Sequence, residues 1–503
     1  MRGGDTKVIK VVKKVSFYEI EFDKLQEAVP LLDELSYTQY KADDAIPYGY
    51  LLSTKEKRVR VPIGVGDFEI RKRLKNIVSF DYDDTCMPVK PSTGYTFKAQ
   101  PKSEQDLVLR DLKEEFRHKN SAVCNMPAGR GKTFVFFRLA YELRRRAIIF
   151  LKTNILLEEM VTKLKGYTDI KNKNIAIISN SSDIYELEES LKHDDELDFV
   201  LLTHAMFREI VKKPDGFRTL MSICARAGIS MKCFDEADLE TQNVFFMELR
   251  SSIQCSIYLT ATFYKSSKDE NRAFQFAFNE QKRIGAEYYK DFEKRRDAIA
   301  YKFNSNPNPK EVRSWEIFGT GDFNVFNYAD YLIKRKYYEV AEAITPVIEE
   351  IKGFLKDRPE TTSVIFLNKA EKDIVELFIE KVLVEIHGID RDVIGIVNSK
   401  VGNDKLKKQN KQKQLIVTTM QSLGRGVDMS NMILILNLAA HASGRDFEQL
   451  LARLGREGGI DGYYRELVDE GCFKVNQWYE RRKPLFRTSF RSFDEIKINV
   501  SSL

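Results

Sequence analysis

The chain is poor in the residues that cross-link proteins or hold transition metals. Six cysteines are spread over 503 residues with no Cys-x-x-Cys pair, and the five histidines are scattered. That excludes a disulfide scaffold and a zinc ribbon, argues against a histidine-held catalytic metal, and points to a reducing, cytoplasmic setting. No stretch approaches the roughly 18 apolar residues of a membrane span; AIIFL at 147–151 is a strand-length run. The opening MRGGDTKVIKVVKK lacks the apolar centre of a signal peptide. No charge sign dominates either: 81 Lys+Arg stand against 75 Asp+Glu, a net charge of +6. Contact with a polyanion must therefore come from local clusters. What is present is an ordinary hydrophobic share of 43%, which excludes wholesale disorder, in a length that suits about three or four globular units. We expect no membrane partner, and a monomer or weak oligomer.

From residue 1 to 95 short strand-like runs (KVIKVVKKVSFYEIEF, YGYLLS, RVRVPIGV) mix with two helical patterns, FDKLQEAVPLLDELS and FEIRKRLKNIV. Alternation and three-four spacing predict a small α+β accessory domain, and PVKPSTG reads as a linker. From 96 to 262 apolar strands alternate with amphipathic helices, which predicts a parallel sheet covered on both faces. Residues 263–324 turn polar and aromatic and are expected to be a connector or insertion. The alternation resumes from 325 to 503 as a second α/β layer.

Pro127-Ala128-Gly129-Arg130-Gly131-Lys132-Thr133 lies between an expected strand and an expected helix. Glycines there let backbone N–H groups curl around phosphates at a helix N-terminus, Lys132 can reach the outer phosphates and the Thr133 hydroxyl can ligate Mg²⁺. Met126 stands where the usual first glycine would be. Asp235-Glu236-Ala237-Asp238 ends the apolar strand KCF, so its carboxylates face the crevice where α/β sheets bind ligands. Asp235 is a candidate for holding the metal through water, and Glu236 for deprotonating the attacking water. In the second half, QLLARLGR carries Arg453 and Arg456 three apart, on one side of a helix or tight turn. A small-residue loop, TTMQSLGRGVD, precedes it.

The ordered set PAGRGKT, DEAD, TAT, TTMQSLGRGVD and QLLARLGR resembles the motifs of superfamily 2 helicases, over roughly residues 97–475. The resemblance implies two RecA-like lobes, ATP and Mg²⁺ as cofactors, and a nucleic-acid partner. It assigns Gln105 to adenine, Ala128, Gly129, Arg130 and Gly131 to the phosphates, and Thr260 and Thr262 to coupling. Gly426 and Asp428 fall in the loop that touches both ribose and nucleic-acid backbone, and Gln449, Arg453 and Arg456 to sensing the γ-phosphate. Lys152, Thr203, Asn368 and Thr419 fall in segments that grip nucleic-acid phosphates. TAT in place of the SAT of DEAD-box proteins, and Gln449 where they carry His-Arg, look closer to viral and phage helicases that reverse forks and migrate branches. The chain would then work in host cytoplasm, on forked, branched or duplex DNA. An RNA or RNA–DNA helicase that releases transcripts, and an ATP-binding clamp with little hydrolysis, remain as alternatives.

Further candidates for backbone contact are Lys55, Lys57, Arg58 and Arg60, and Arg71, Lys72, Arg73 and Lys75; a solvated charged face accounts for them equally well. LKKQNKQKQ at 406–414 reads as a solvated helix, and WYERRKPLFRTSFR as packing of a last helix. Asp81, Asp83 and Asp84 read as an acidic turn, with a nuclease metal site the weaker alternative. Cys124, Cys233 and Cys255 read as small core residues.

Overall fold

A computed structural model describes residues 8–38, 45–47, 49–74, 77–127, 129–192, 196–265, 267–289, 296–317, 322–397, 409–410, 412–419, 422, 431–441, 447, 451, 454 and 461–501. The chain divides into two compact units, residues 1–289 and 290–503.

The first unit opens with a five-stranded mixed sheet in the order Leu51–Ser53, Arg58–Pro62, Phe17–Glu21, Val8–Lys13, Ile77–Tyr82. Alternation sets its faces: in Arg58–Pro62 the two valines are buried while Arg58 is exposed and Arg60 half-buried. The helical pattern FEIRKRLKNIV stops at Leu74, and its tail becomes part of the last strand. FDKLQEAVPLLDELS splits into a short 3₁₀ turn, Leu25–Glu27, and the helix Val29–Glu34, because Pro30 suits only the first helical turn.

Beyond it lies a seven-stranded, all-parallel sheet: Ile175–Ile178, Phe199–Thr203, Ala147–Leu151, Met231–Asp235, Cys255–Thr260, Ser121–Asn125, Arg283–Gly285. Its central strands, such as AIIFL and FVLLT, are buried along their whole length, as strands covered on both faces must be. The second unit repeats this: Ile394–Val397, Leu415–Thr419, Thr362–Leu367, Met432–Asn437, Gly462–Asp469, Arg296–Phe303, Ser492–Lys497, again all parallel. The α/β expectation with two RecA-like lobes and a small N-terminal α+β element thus describes the fold.

Two local expectations differ. PVKPSTG is pinned along the first lobe: Lys90 N–H bonds the Gly228 carbonyl at 3.2 Å, Arg146 Nε the Pro91 carbonyl at 2.9 Å and Thr93 N–H the Asp198 carboxylate at 2.8 Å. Segment 263–324, expected as a connector, is shared between the sheets. The helix Lys268–Ala277 and strand Arg283–Gly285 complete the first sheet, and Arg296–Phe303 lies inside the second. Its aromatic content has a packing reason, since Phe263, Phe274 and Phe278 form one cluster on the first lobe.

Candidate nucleotide and nucleic-acid sites

The phosphate loop joins the strand Ser121–Asn125 to the helix Lys132–Glu142. Gly129 and Gly131 have φ of +75° and +87°, conformations that side chains resist. A Cβ on Gly131 would lie 2.3 Å from Gln105 Nε2, so glycine is required there twice over. Gln105 sits on the helix Ser103–His118 and clasps the loop: its Nε2 donates to the Arg130 carbonyl at 3.0 Å, and its Oε1 accepts from Lys102 N–H at 3.0 Å. The glutamine expected at adenine is therefore also a brace for the phosphate loop. Lys132, in the first helical turn, donates to the Met126 carbonyl at 3.1 Å. Thr133 follows it in that turn, half-buried.

Met126 is fully buried. Room for it comes from Gly285 on the neighbouring strand, φ +126°, where a Cβ would stand 2.7 Å from Met126 Cγ. A bulky residue in place of the usual small one is thus matched by a missing side chain across the strand pair.

The acidic motif ends the strand Met231–Asp235 at the same edge of the sheet. Burial, and next the carboxylate of Glu236, push the Asp235 carboxyl up to about 7, with Lys132 pulling it back. Glu236 has φ +51°, a strained left-handed conformation of the kind that functional sites hold in place. Two contacts fix the backbone here: Leu239 N–H bonds the Glu236 carbonyl at 2.8 Å, and the buried His204 Nε2 lies 3.4 Å from the Asp235 carbonyl. Burial holds that imidazole down to about 4, so it is neutral and donates.

Asp238 is buried, and both its oxygens are used. Thr260 Oγ1 donates to Oδ1 at 2.7 Å and Thr262 Oγ1 to Oδ2 at 3.0 Å. Sequence reasoning named the two threonines and missed this partner, although the acid at the fourth position of the motif was there to be asked about.

A divalent cation fits the donor set. Among the described residues no group of three or more His, Cys, Asp or Glu could cage a metal, and Mg²⁺ ordinarily takes one or two protein oxygens, leaving the rest to phosphate and water. Asp235, electrostatically crowded by its neighbour, and the Thr133 hydroxyl are the residues that would hold it.

Ala128, Gly426, Asp428, Gln449, Arg453 and Arg456 lie outside the described residues, as do Lys75 and, in the basic run 406–414, residues 406–408 and 411. Of the nucleic-acid candidates, Lys152 follows the strand Ala147–Leu151, half-buried. Thr203 caps the helix His204–Lys212, accepting from Met206 N–H at 3.0 Å. Asn368 is doubly bonded to the Ala440 backbone, at 2.9 and 2.8 Å. Thr419 bonds Ser422 Oγ at 2.8 Å.

The basic clusters of the N-terminal sheet are heavily paired. Arg58 and Arg60 face Glu19 and Glu21, Lys72 faces Glu69, and Arg73 faces Glu34 and Glu69. Arg71 donates to the Val78 carbonyl and covers Phe80. Asp81 and Asp83 pair with Lys10 and Lys14. Cys124, Cys233 and Cys255 are buried, and burial pushes each thiol up. Phe486 packs among Phe447, Tyr464 and Phe493, and Trp478 against Phe323.

A phosphate loop, a braced glutamine and an acidic strand end bonded to a Thr-x-Thr loop, all on one parallel sheet with a second such sheet in the chain, define a helicase-type nucleoside triphosphatase. Residues 98–265, a third of the chain, match the family described as Type III restriction enzyme, res subunit. That segment thus carries a domain of this family. No curated protein matches it. Among solved structures, an ATP-dependent Type ISP restriction-modification enzyme, LlaBIII, bound to DNA, is similar at 13% identity and a TM-score of 0.52. The match covers 80% of this chain and 31% of that one, and shows a shared fold. T4 UvsW matches over 98% of this chain and 100% of its own, at 14% identity and a TM-score of 0.39.

Proposed function

We propose that the protein is an ATP-driven translocase that remodels forked or branched DNA, in replication, recombination or repair. The observation that carries this reading is the pair of bonds from Thr260 and Thr262 to Asp238. A kinase needs only a phosphate loop and an acid. A motor needs the acid tied to a loop that responds to the state of the nucleotide, and this tie supplies it.

In this reading the loop amides and Lys132 would hold the triphosphate, and Thr133 directly and Asp235 through water would hold Mg²⁺, which would supply charge neutralisation at the outer phosphates. Glu236 takes the proton of the attacking water. His204, through the Asp235 carbonyl, keeps that strand end aimed. Gln105 reads the base while bracing the loop, and Gly426, Asp428 and Gln449 complete the nucleotide contacts from the second lobe. Arg453 and Arg456 lower the barrier from there as well, a contribution worth about 10³–10⁵ in rate for such fingers. Hydrolysis then depends on the second lobe, and its cycle moves a strand gripped by Lys152, Thr203 and Thr419. Residues 1–95 act as an accessory nucleic-acid-binding domain.

The test compares stimulation of ATP turnover by single-stranded, duplex, forked and four-way DNA and by RNA. Greatest stimulation by forked or four-way DNA is expected. Greatest stimulation by RNA would replace the DNA reading, and no stimulation by any of them would replace the motor with an ATP-binding clamp.

A further inference from the structure

Two guanidinium groups meet at the seam between the N-terminal sheet and the first lobe. Arg60 lies on the strand Arg58–Pro62, and Arg250 just beyond the helix Thr241–Glu248. Arg60 Nη1 donates to the carbonyl of Leu249 at 3.2 Å, its Nε bonds Glu19 at 2.8 Å and its plane covers Phe17 at 4.9 Å. Arg250 covers Phe246 at 3.9 Å. There the likeness ends, because among the described residues no carboxylate or other acceptor meets the Arg250 side chain. Burial foremost, and then the nearby charge of Arg60, push its pKa below the usual guanidinium value.

Arg58, Arg60 and Arg250 bring three positive charges; Glu19 and Glu21, paired with the first two, return two. The one left over sits on Arg250. Glu248 nearby does not offset it, being buried against Lys232 at 2.9 Å. Leaving a half-buried guanidinium without acceptors costs stability, while holding it over a ring restricts where its N–H fork can point. Such a fork fits the oxygens of a phosphate. The positive charge also continues outward: the turn before Arg58 presents exposed Lys55 and Lys57, whose ammonium groups meet no carboxylate among the described residues.

We propose that Arg250, flanked by Arg60, is a phosphate-binding site for the backbone of a nucleic-acid strand, with Lys55 and Lys57 extending its path. The site rests on the reading of the protein as a nucleic-acid motor and gives its accessory region one specific contact. Most of the arginines expected there are neutralised by glutamates, and Arg250 is not.

Binding of labelled forked DNA to the full chain, measured over a range of salt, tests it. Arg250→Gln should weaken binding about three- to tenfold and flatten the slope of log K against log salt by about 0.9 for duplex contact, or about 0.7 for a single strand. Arg250→Lys should restore the slope but not the full affinity. ATP turnover at saturating DNA should be unchanged in both. An unchanged slope in Arg250→Gln and in Arg250→Glu overturns the site. Titration with inorganic phosphate and pyrophosphate separates the sources: anion binding lost in Arg250→Gln with DNA affinity intact would mean a small-anion site and overturn the strand contact. If nucleic acid fails to stimulate wild-type turnover the motor reading falls, and the salt slope still decides the site.

Discussion

The two parallel sheets of this chain are built alike and treat their polar edges differently. In the first, the edge is left under tension: the Asp235 carboxyl is pushed up to about 7, Glu236 has φ +51°, and Lys132 rests on a loop carbonyl. In the second, two polar groups among the described residues are sealed. Asn368 is closed on Ala440, and Arg482 and Glu466 form a buried ion pair joined to Tyr464 and Asn437. The strained edge belongs to the first sheet, and the Arg482–Glu466 pair of the second is bound up in its own packing.

The largest effect should come from the first edge. Lys132→Ala and Glu236→Gln are each expected to lower ATP turnover by about 10²–10⁴. Only Glu236→Gln should still bind ATP, as nucleotide-binding fluorescence would show. Melting should hardly change in either, since groups under tension contribute little to stability.

The opposite is expected of the second sheet. Arg482→Met leaves Glu466 buried without its partner and should cost about 3–5 kcal/mol, read as a fall in melting temperature. Replacing both by apolar residues should recover part of that loss. If Arg482→Met melted like the wild type, the contrast between the sheets would fail.

Asp238→Asn should keep hydrolysis and reduce its dependence on nucleic acid, by about tenfold for a coupling of ordinary size. Gly285→Ala, which meets Met126, should destabilise the phosphate loop by about 1–3 kcal/mol and raise the Kd for ATP. Adding Met126→Ala should reverse much of this, and failure to do so would remove the account of that bulky residue.

The smallest effect concerns acid. Partial burial raises the Glu495 carboxyl, but hydrogen bonds from Lys302, Lys483 and Tyr479 outweigh it and hold the group down to about 2. Its folded value lies below its ordinary one. The stability it contributes is therefore present above about pH 4.5 and is lost as pH falls toward about 2. Glu495→Gln should lower the melting temperature near pH 7, where the contribution is complete, and its difference from the wild type should shrink as pH falls through that window.

The alternating strands and helices were legible because strands covered on both faces read as unbroken apolar runs, AIIFL and MILILN among them. The nucleotide motifs were legible because the chemistry of each is local: the glycine loop, the acid pair and the Thr-x-Thr are each a run of only a few residues. What escaped depends on contacts across the chain. Asp238 gains a role only once Thr260 and Thr262 reach it, and Gly285 explains Met126 only because their strands pair. His204 reads as an ordinary helix residue until Asp235 lies beside it. The seam of the N-terminal sheet escaped for the same reason. Arg58, Arg60 and Arg73 read as a basic face, but Glu19, Glu21, Glu34 and the Leu249 carbonyl that meet them are remote in sequence. Arg250 carries no motif at all.

Steady-state ATP turnover of the full chain, with and without forked DNA, in the wild type and in Arg456→Ala tests the central claim most directly. The account predicts turnover that rises severalfold with DNA in the wild type and falls by at least about 10³ in the variant, with DNA affinity kept. Turnover indifferent both to DNA and to the loss of Arg456 would contradict it.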